Sequence, residues 1–205
     1  MLNLRVRPAI SRVVDPIATV LLRAGVSPDA ITLLGTLGAV AGALVLFPRG
    51  SFVLGSAVVA LSVLTDLLDG AMARQRGTTS PFGAWLDSTC DRVADAAIFS
   101  GLVLWFTGDG DNRLLAAVAL FCLVSGSIVS YAKARAEGLG LRADVGLAER
   151  AERLILVLVG TALAGFGVDV ALAVLLWVLA AASAITVVQR LLEVRRQAAL
   201  AGPAG

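Results

Sequence analysis

Four aspartates lie inside two strongly apolar stretches of this 205-residue chain, and their spacing suits them to chemistry: Asp66, Asp69, Asp87 and Asp91. Small residues and one arginine stand between them at fixed intervals: Gly70, Ala73, Arg74 and Gly83. A carboxylate placed in hydrocarbon costs about 3 kcal/mol, so four would cost roughly 12 kcal/mol. A chain that keeps these groups in a membrane needs cations between them, and we expect the function to lie in this run.

The spacing places the acids on the faces of two successive helices. Positions i, i+3, i+4 and i+7 share one face of the first helix: Asp66, Asp69, Gly70 and Ala73. Positions i, i+4 and i+8 share a face of the next helix: Gly83, Asp87 and Asp91. Converging carboxylates repel one another unless divalent cations lie between them, and a pair of such ions is a common device for phosphoryl transfer.

The chain contains no histidine, so acid–base or metal chemistry must use carboxylates, lysine or tyrosine. Oxygen-only ligation favours magnesium, manganese or calcium. Two other interpretations of the acids stay open: buried ion pairs with Arg74, Arg76 or Arg92, and the cation relay of a transporter. The two cysteines, Cys90 and Cys122, lie in apolar segments without metal or redox spacing, which predicts buried small hydrophobic residues.

Hydrophobic residues make up 58% of the sequence, which indicates an all-α integral membrane protein. Six apolar stretches are long enough to be transmembrane helices: about 29–47, 52–74, 82–106, 113–136, 151–166 and 169–191. We expect them to form a single membrane domain over residues 1–205. Before them, basic and apolar residues interleave over 3–24, a pattern typical of an interfacial amphipathic helix or of a soluble helix packed on the cytosolic face.

The basic residues orient the spans. With both termini in the cytosol, only Arg49 and Arg113 of the 17 Lys and Arg residues fall on the outer side. The positive-inside rule therefore predicts a multi-pass protein of the cell membrane with cytoplasmic termini. Trp85 and Trp105, about 30 Å apart along the third span, would mark its two interfaces. Both pairs of aspartates then lie at similar depth, in a cavity open to the cytosol.

The pattern resembles the CDP-alcohol phosphotransferase signature, D-x-x-D-G-x-x-A-R, eight residues, then G-x-x-x-D-x-x-x-D. Every fixed position of that signature is present here: Asp66, Asp69, Gly70, Ala73, Arg74, Gly83, Asp87 and Asp91. The six spans after an interfacial helix also resemble this family, so the likeness covers essentially the whole chain. It implies that a CDP-linked lipid, usually CDP-diacylglycerol, donates a phosphatidyl group to an alcohol and releases CMP.

The resemblance also implies roles for individual residues. Asp66, Asp69, Asp87 and Asp91 would hold magnesium or manganese, as two ions, and Asp91 would also take the proton of the alcohol. The cytidine nucleotide would contact three further residues: Gly70, Arg74 and Ser80. The metal would neutralise the pyrophosphate, while the neighbouring aspartate orients the hydroxyl for in-line attack. A homodimer is expected from the family alone.

The first span begins with a second element of interest, the run Ser27-Pro28-Asp29-Ala30-Ile31-Thr32. Ser27 before Pro28 predicts a helix N-cap. The family often has P-N-x-x-T here, near the nucleotide, and Asp29 replaces the usual asparagine. The backbone NH groups of a helix start can bind a polar ligand, so four residues are candidate contacts for CDP-diacylglycerol: Asp29, Ala30, Ile31 and Thr32.

Basic residues cluster between the fourth and fifth spans and after the sixth. Anchoring on anionic headgroups explains most of them. Lys133, Arg153 and Arg190 lie at the membrane ends of these segments, and three cations around one cavity suit an acceptor that carries its own phosphate. Asp95, three residues after Arg92, is expected to pair with that arginine and is left outside the site.

Two acceptors fit these cations, inositol 1-phosphate and glycerol 3-phosphate. Three stretches resemble the actinobacterial phosphatidylinositol-phosphate synthases of this family and favour inositol 1-phosphate: 23–32, 133–137 and 149–155. Charge and spacing alone leave a phosphatidylglycerophosphate synthase open. A divalent-cation transporter is the rival from another class, but it would not explain the glycine, alanine and arginine of the signature, and the chain shows no internal repeat.

Overall fold

The computed structural model describes the backbone of residues 3–77 and 80–201, with side chains described for 12–77 and 80–200. Within these ranges the chain forms helices and no strand, which confirms the all-α class. Seven α-helices follow in chain order: α1 Asn3–Arg23, α2 Pro28–Ala41, α3 Phe52–Arg76, α4 Pro81–Thr107, α5 Arg113–Glu137, α6 Arg150–Gly165 and α7 Asp169–Ala201. Their bounds lie within a few residues of the predicted ones, except that α7 continues well past 191.

Helix α2 starts and stops at residues with clear local causes. The Ser27 hydroxyl accepts a hydrogen bond from the Ala30 amide at 3.2 Å, so the predicted N-cap is confirmed. The helix continues through a π-helical turn, Gly42–Leu46, and a 3₁₀ turn, Phe47–Arg49. Gly50 then ends it in the left-handed conformation, with φ of 69°.

Among the described helical segments, four are long and apolar enough to cross a membrane: Pro28–Arg49, Phe52–Arg76, Arg113–Glu137 and Asp169–Leu200. The protein is therefore membrane-embedded. Helix α4 has spanning length, but its first half carries several charged residues: Asp87, Asp91, Arg92 and Asp95. Helix α6 has 16 residues, fewer than an upright crossing needs. The crossing of α4 and α6 stays a prediction.

One hydrophobic core extends from α2 to α7, and the part around Phe47, Val59 and Phe99 lies where α2, α3 and α4 meet. Small residues let these helices approach closely, as membrane helices require. A Cβ on Gly101 of α4 would collide with the backbone carbonyl of Ala43. The close approach fixes α4 against α2, and both helices contribute to the acidic site described below.

Helix α1 packs on the end of α3 that carries the acids. Ala18 is fully buried against Met72, and the Thr19 hydroxyl donates to the Gln75 side-chain oxygen at 3.0 Å. A second apolar stripe of α1 is exposed, including Val13 at 64%. A helix with one apolar side on the protein and another uncovered fits the predicted interfacial position. The side chains of residues 3–11, the first part of the predicted interfacial segment, lie outside the described residues.

The connections between helices segregate to two ends of the bundle. Trp105 packs edge-on against Phe52, with ring centroids 5.1 Å apart, so α4 ends beside the start of α3. A Cβ on Gly165 would lie 2.6 Å from Val53, which places the end of α6 there too. The aspartates of the signature lie on the opposite ends of α3 and α4.

Candidate active site

Three of the four signature aspartates converge where α3 and α4 meet. Asp66, Asp69 and Asp87 each offer a carboxylate oxygen, and these oxygens all lie within 4.8 Å of one another. Asp69 is buried, Asp66 is half-buried and Asp87 is exposed. The i, i+3 spacing puts the first two on one face of α3, and α4 brings the third opposite them. We call these three residues the carboxylate trio.

The trio has the chemistry of a site for a hard divalent cation. All its donors are carboxylate oxygens, which magnesium and manganese prefer. Three oxygens that lie within 4.8 Å of one another can surround a single ion after small rotations of the side chains. The residues present therefore fit the metal expected from the sequence, and their role as ligands stays a prediction.

Helix α2 holds one member of the trio in place. The Thr32 hydroxyl donates a hydrogen bond to Asp69 Oδ2 at 2.5 Å, and both side chains are buried. A buried donor of this kind fixes the direction in which a carboxylate points and is typical of the support that metal ligands need. The sequence predicts that Thr32 contacts the CDP-lipid. In the structure Thr32 also bonds to Asp69, a predicted metal ligand.

A cavity of about 360 Å³ opens beside the trio, a size suited to a small ligand or a nucleotide. Asp69 and Asp87 line one side of it, between the starts of α2 and α4 and the end of α3. The remaining lining residues come from those same segments: Ser27, Pro28, Asp29, Thr32, Gly70, Ala73, Arg74, Arg76, Ser80, Gly83 and Ala84. The structure thus brings Asp29, Thr32, Gly70, Arg74 and Ser80, all predicted contacts of the CDP-lipid, to one cavity.

Small residues keep this cavity open. A Cβ on Gly70 would lie 3.3 Å from Arg74 Nη1, so the glycine lets the guanidinium lie close to the helix. Ser80 caps α4 by accepting a hydrogen bond from the Gly83 amide at 2.9 Å. A Cβ on Gly83 would lie 3.6 Å from Asp29 Oδ1, so the starts of α2 and α4 approach each other here.

The expectation for Ala30 and Ile31 is not met by the cavity, whose lining includes neither of them. On helix α2 these two positions turn away from the face that carries Asp29 and Thr32. Ile31 packs instead with Ala18 and Met72 under α1. The Ala30 amide, a candidate donor to a polar ligand, already donates to the Ser27 hydroxyl. The Ala30 amide that was expected to bind the ligand is therefore used in capping the helix.

The fourth aspartate, Asp91, stands outside the trio and contacts two arginines. Arg150 Nη2 lies 2.8 Å from Asp91 Oδ1, and Arg92 Nη2 lies 3.5 Å from Asp91 Oδ2. Arg150 also reaches Asp66 Oδ2 at 3.2 Å. In the sequence, Arg150 is one of the basic residues between the fourth and fifth spans. No local spacing indicates that the start of α6 faces α3 and α4.

The predicted pairing of Asp95 with Arg92 is wrong. Asp95 Oδ2 accepts a hydrogen bond from Arg153 Nη2 at 2.7 Å, and Asp95 Oδ1 lies 3.7 Å from Arg150 Nε. Arg153 is only 1% exposed and needs a counter-ion, while Arg92 turns to its sequence neighbour Asp91. Gly126 of α5 leaves room for the Arg153 side chain, since a Cβ there would lie 3.1 Å from its Nε.

The three predicted acceptor cations all contact one short loop, residues 144–149. Lys133 Nζ lies 2.6 Å from Asp144 Oδ1, and this hydrogen bond holds the pKa of the Asp144 carboxyl below its usual value. Arg153 donates to the Ala148 carbonyl at 3.4 Å. Arg190 donates to the Val145 carbonyl at 2.9 Å and to Glu149 Oε1 at 3.3 Å. The loop gathers cations from α5, α6 and α7, and each already has an acidic or carbonyl partner.

Comparison with protein families gives the class of this molecule. The family model described as CDP-alcohol phosphatidyltransferase matches residues 25–189, and the chain belongs to that family. It is an enzyme family, and the motif aspartates and cavity described above fall within the matched residues. The chain is thus a member of a family of phospholipid-forming transferases.

Individual relatives narrow the class further. The chain is 53% identical over 211 residues to the phosphatidylinositol phosphate synthase of Streptomyces avermitilis, covering all of this chain and 86% of that protein. It is 52% identical over 188 residues to the enzyme of the same name from Mycobacterium tuberculosis, covering 90% and 87% of the two chains.

Solved structures of the Mycobacterium tuberculosis enzyme share this fold. One with CDP-DAG bound has a TM-score of 0.87 at 52% identity, covering 89% of this chain and 94% of that chain. Another, in complex with manganese and citrate, has a TM-score of 0.86 and covers 88% of each chain. The donor lipid and the metal that the sequence predicts are therefore ligands of a close structural relative.

Proposed function

We propose that this protein is a phosphatidylinositol-phosphate synthase, which transfers the phosphatidyl group of CDP-diacylglycerol to inositol 1-phosphate and releases CMP. One observation carries the proposal. The carboxylate trio lies at the cavity that gathers the predicted nucleotide contacts, in a chain 53% identical to an enzyme of that name. A transporter of divalent cations would require neither that cavity nor the family signature around it.

The donor side of the site follows from the cavity. Arg74 and Arg76 supply positive charge for a diphosphate, and Gly70 and Gly83 leave room for the ligand near the backbone. A divalent ion bound by Asp66, Asp69 and Asp87 would neutralise the pyrophosphate and stabilise the departing CMP. We expect magnesium or manganese there, and a second ion towards Asp91.

Asp91 is the proposed base for the acceptor hydroxyl. It is the signature aspartate that lies outside the trio, on the side where α6 approaches α4. Its carboxylate can accept the proton as the hydroxyl oxygen attacks the phosphorus in line with the leaving CMP. Its neighbouring cations are Arg150, at 2.8 Å, and Arg92, at 3.5 Å.

The acceptor phosphate is proposed to bind Lys133, Arg153 and Arg190. The 144–149 loop contacts all three, which supports a single binding region. Arg153 is paired with the buried Asp95, so of the three cations it is the least free to turn towards the acceptor phosphate. Asp144 and Glu149 are exposed partners that a doubly charged phosphate can displace from Lys133 and Arg190.

We further propose that α2 through α7 cross the cell membrane, with the active site and both termini on the cytoplasmic side. Helices α4 and α6 pack beside the four apolar spans, and successive links fall at alternate ends of the bundle. Charged residues of α4 face the carboxylates and arginines of the site, which lowers the cost of placing them at membrane depth. A homodimer is our expectation from the family.

The deciding experiment measures CMP release from CDP-diacylglycerol by the purified protein in detergent with magnesium. Inositol 1-phosphate, glycerol 3-phosphate and unphosphorylated inositol are supplied separately. We expect rapid release with inositol 1-phosphate and little with the other two. Preference for glycerol 3-phosphate would instead assign a phosphatidylglycerophosphate synthase, and preference for free inositol would remove the role of the acceptor cations.

A further inference from the structure

We propose that Thr186 of α7 is a positioning residue for the acceptor phosphate, because its hydroxyl holds the 144–149 loop in the shape that orients Lys133 and Arg190. The inference rests on the acceptor site proposed above and adds a residue to it. Thr186 lies outside the family signature and carries no charge. Its side chain is fully buried, so it acts through the loop and not by touching the acceptor.

The Thr186 hydroxyl uses its whole hydrogen-bonding capacity on two segments of backbone. Its oxygen accepts hydrogen bonds from the amides of Leu147 and Ala148, each at 3.0 Å. The hydroxyl proton goes to the Ala182 carbonyl, one turn earlier on α7, at 2.8 Å. A hydroxyl has one donor and two acceptor positions, and all three are occupied here. One side chain therefore ties two successive amides of the loop to α7.

The loop also packs closely on this threonine. Gly146 has a φ of 148°, a conformation that residues with a side chain rarely adopt. A Cβ on Gly146 would collide with the methyl group of Thr186. The glycine thus lets the loop backbone lie directly against the threonine, and the fit between loop and helix is one of shape as well as of hydrogen bonds.

Two more side chains on the same face of α7 bind backbone groups in or next to the loop. Positions i, i+4 and i+11 share a helix face, and they are Thr186, Arg190 and Gln197. Arg190 Nε donates to the Val145 carbonyl at 2.9 Å. The Gln197 amide accepts from the Arg142 NH at 2.9 Å and donates to the Arg142 carbonyl at 2.7 Å. This face of α7 therefore determines the path of a segment that forms neither helix nor strand.

The shape of the loop matters because the loop orients two proposed acceptor cations. Lys133 contacts Asp144 at 2.6 Å, and Arg190 contacts Glu149 at 3.3 Å and the Val145 carbonyl. Cations that are already oriented bind a phosphate with a smaller loss of side-chain entropy. If the loop moves, binding of the phosphate must also order both cations, and the affinity for the acceptor falls.

The test compares Thr186→Val with the unmodified enzyme, since valine keeps the shape of the side chain and removes the hydroxyl. We expect the KM for inositol 1-phosphate to rise about tenfold, because the cations lose their fixed orientation. The kcat and the KM for CDP-diacylglycerol should change less than about twofold, since only acceptor binding is affected. Hydrogen exchange followed by mass spectrometry should show faster exchange over 141–149 and unchanged exchange in α3 and α4.

Two threonine variants serve as controls. Thr186→Ser keeps the hydroxyl and should restore an acceptor KM close to that of the unmodified enzyme. Thr161→Val is the matched control, because Thr161 is also fully buried and its hydroxyl lies 2.6 Å from the Ser56 hydroxyl, away from the loop. This control should lower thermal stability in detergent and leave the acceptor KM unchanged.

Gln197→Leu provides the same test where Thr186→Val does not fold, because Gln197 is only half-buried. We expect a smaller rise in the acceptor KM, about threefold, since Gln197 holds only the segment that leads into the loop. Equal rises in the KM of both substrates would overturn the inference. So would an unchanged acceptor KM beside faster exchange in the loop, or a Thr186→Ser variant as impaired as Thr186→Val. Unmodified enzyme that releases no CMP with inositol 1-phosphate would instead refute the proposed function, and hydrogen exchange, which needs no acceptor, would still test the hold of Thr186 on the loop.

Discussion

The hydroxyl of Thr32 contacts Asp69 across 37 positions of sequence, and this single hydrogen bond links α2 to the carboxylate trio. Replacing Thr32 with valine keeps the shape of the side chain and removes the donor. Asp69 would then be free to rotate, so we expect Mn²⁺ affinity to fall roughly 10–100-fold. Titration of the detergent-solubilised protein with Mn²⁺ measures this directly.

Two variants control that experiment. Thr32→Ser keeps the hydroxyl and should bind Mn²⁺ close to normally. Thr36→Val removes a hydroxyl one turn along α2, where it donates only to the Thr32 carbonyl at 2.8 Å, and should leave affinity unchanged. Equal losses in Thr32→Val and Thr36→Val would show that the effect comes from helix packing and not from the contact with Asp69.

Replacement of Asp91 tests catalysis separately from binding of the lipid donor. Asp91→Asn removes the proposed base without adding bulk, so we expect CMP release to fall at least 100-fold while CDP-diacylglycerol still binds. Binding is measured by protection of the protein against thermal unfolding in detergent. Retained turnover would refute the base assignment, and so would loss of the folded protein, because Asp91 would then be needed mainly as a partner for Arg150 and Arg92.

The neighbouring positions of Asp66 and Asp69 were predictable, because positions i and i+3 share a helix face whatever the tertiary fold. Asp87 belongs to the next helix, and the family signature was what joined it to them. The contacts of Arg150 and Arg153 were not predictable in this way. They join α6 to α4 across a separation of 58 residues for Asp95 and Arg153. Arg92 stands at the local spacing that favours an ion pair with Asp95, yet a distant arginine made that pair because it is buried and closer. Local patterns give candidate partners, and packing selects among them.

At the scale of elements, most helix bounds lie close to the predicted ones, because apolar runs and turn residues define them locally; α7 is the exception and is longer. Ser27, Ser80 and Asn112 cap α2, α4 and α5, and each cap is visible in the sequence as a polar residue before a helix. The π-helical turn at Gly42–Leu46 has no such local signal. It lies where Gly101 of α4 meets the Ala43 carbonyl, a tertiary contact between segments far apart in the sequence.

The close approach of α4 to this turn gives a prediction at the same scale. In Gly101→Ala the new Cβ meets backbone atoms of Ala43, which cannot rotate away. We expect a loss of about 1–3 kcal/mol in the free energy of unfolding, measured by denaturation in mixed detergent micelles. Gly138→Ala is the control, because its Cβ would lie 3.4 Å from the nearest atom at the end of α5. Similar stability in both variants would show that α4 shifts freely along α2.

Over the whole molecule, large apolar side chains are exposed along the spanning helices, such as Leu34 on α2, Leu61 on α3 and Val174 on α7. Exposure of this kind is expected where lipid covers the surface. The polar site lies at one end of the bundle, beside the 144–149 loop, and Trp105 lies at the other end. Because the two ends of the bundle differ, the proposed orientation in the membrane decides which side of the membrane the active site faces.

Labelling of single cysteines tests that orientation. The native Cys90 and Cys122 are both buried, so they should react slowly with a membrane-impermeant maleimide. Leu139 follows α5 at the site end and Asp109 lies in the link between α4 and α5, and both are exposed. In intact cells we expect Asp109→Cys to be labelled and Leu139→Cys to be protected. In inside-out vesicles the result should reverse, since an odd number of crossings separates the two positions. Labelling of both cysteines from the same side would contradict a crossing by α5 and the cytoplasmic placement of the site.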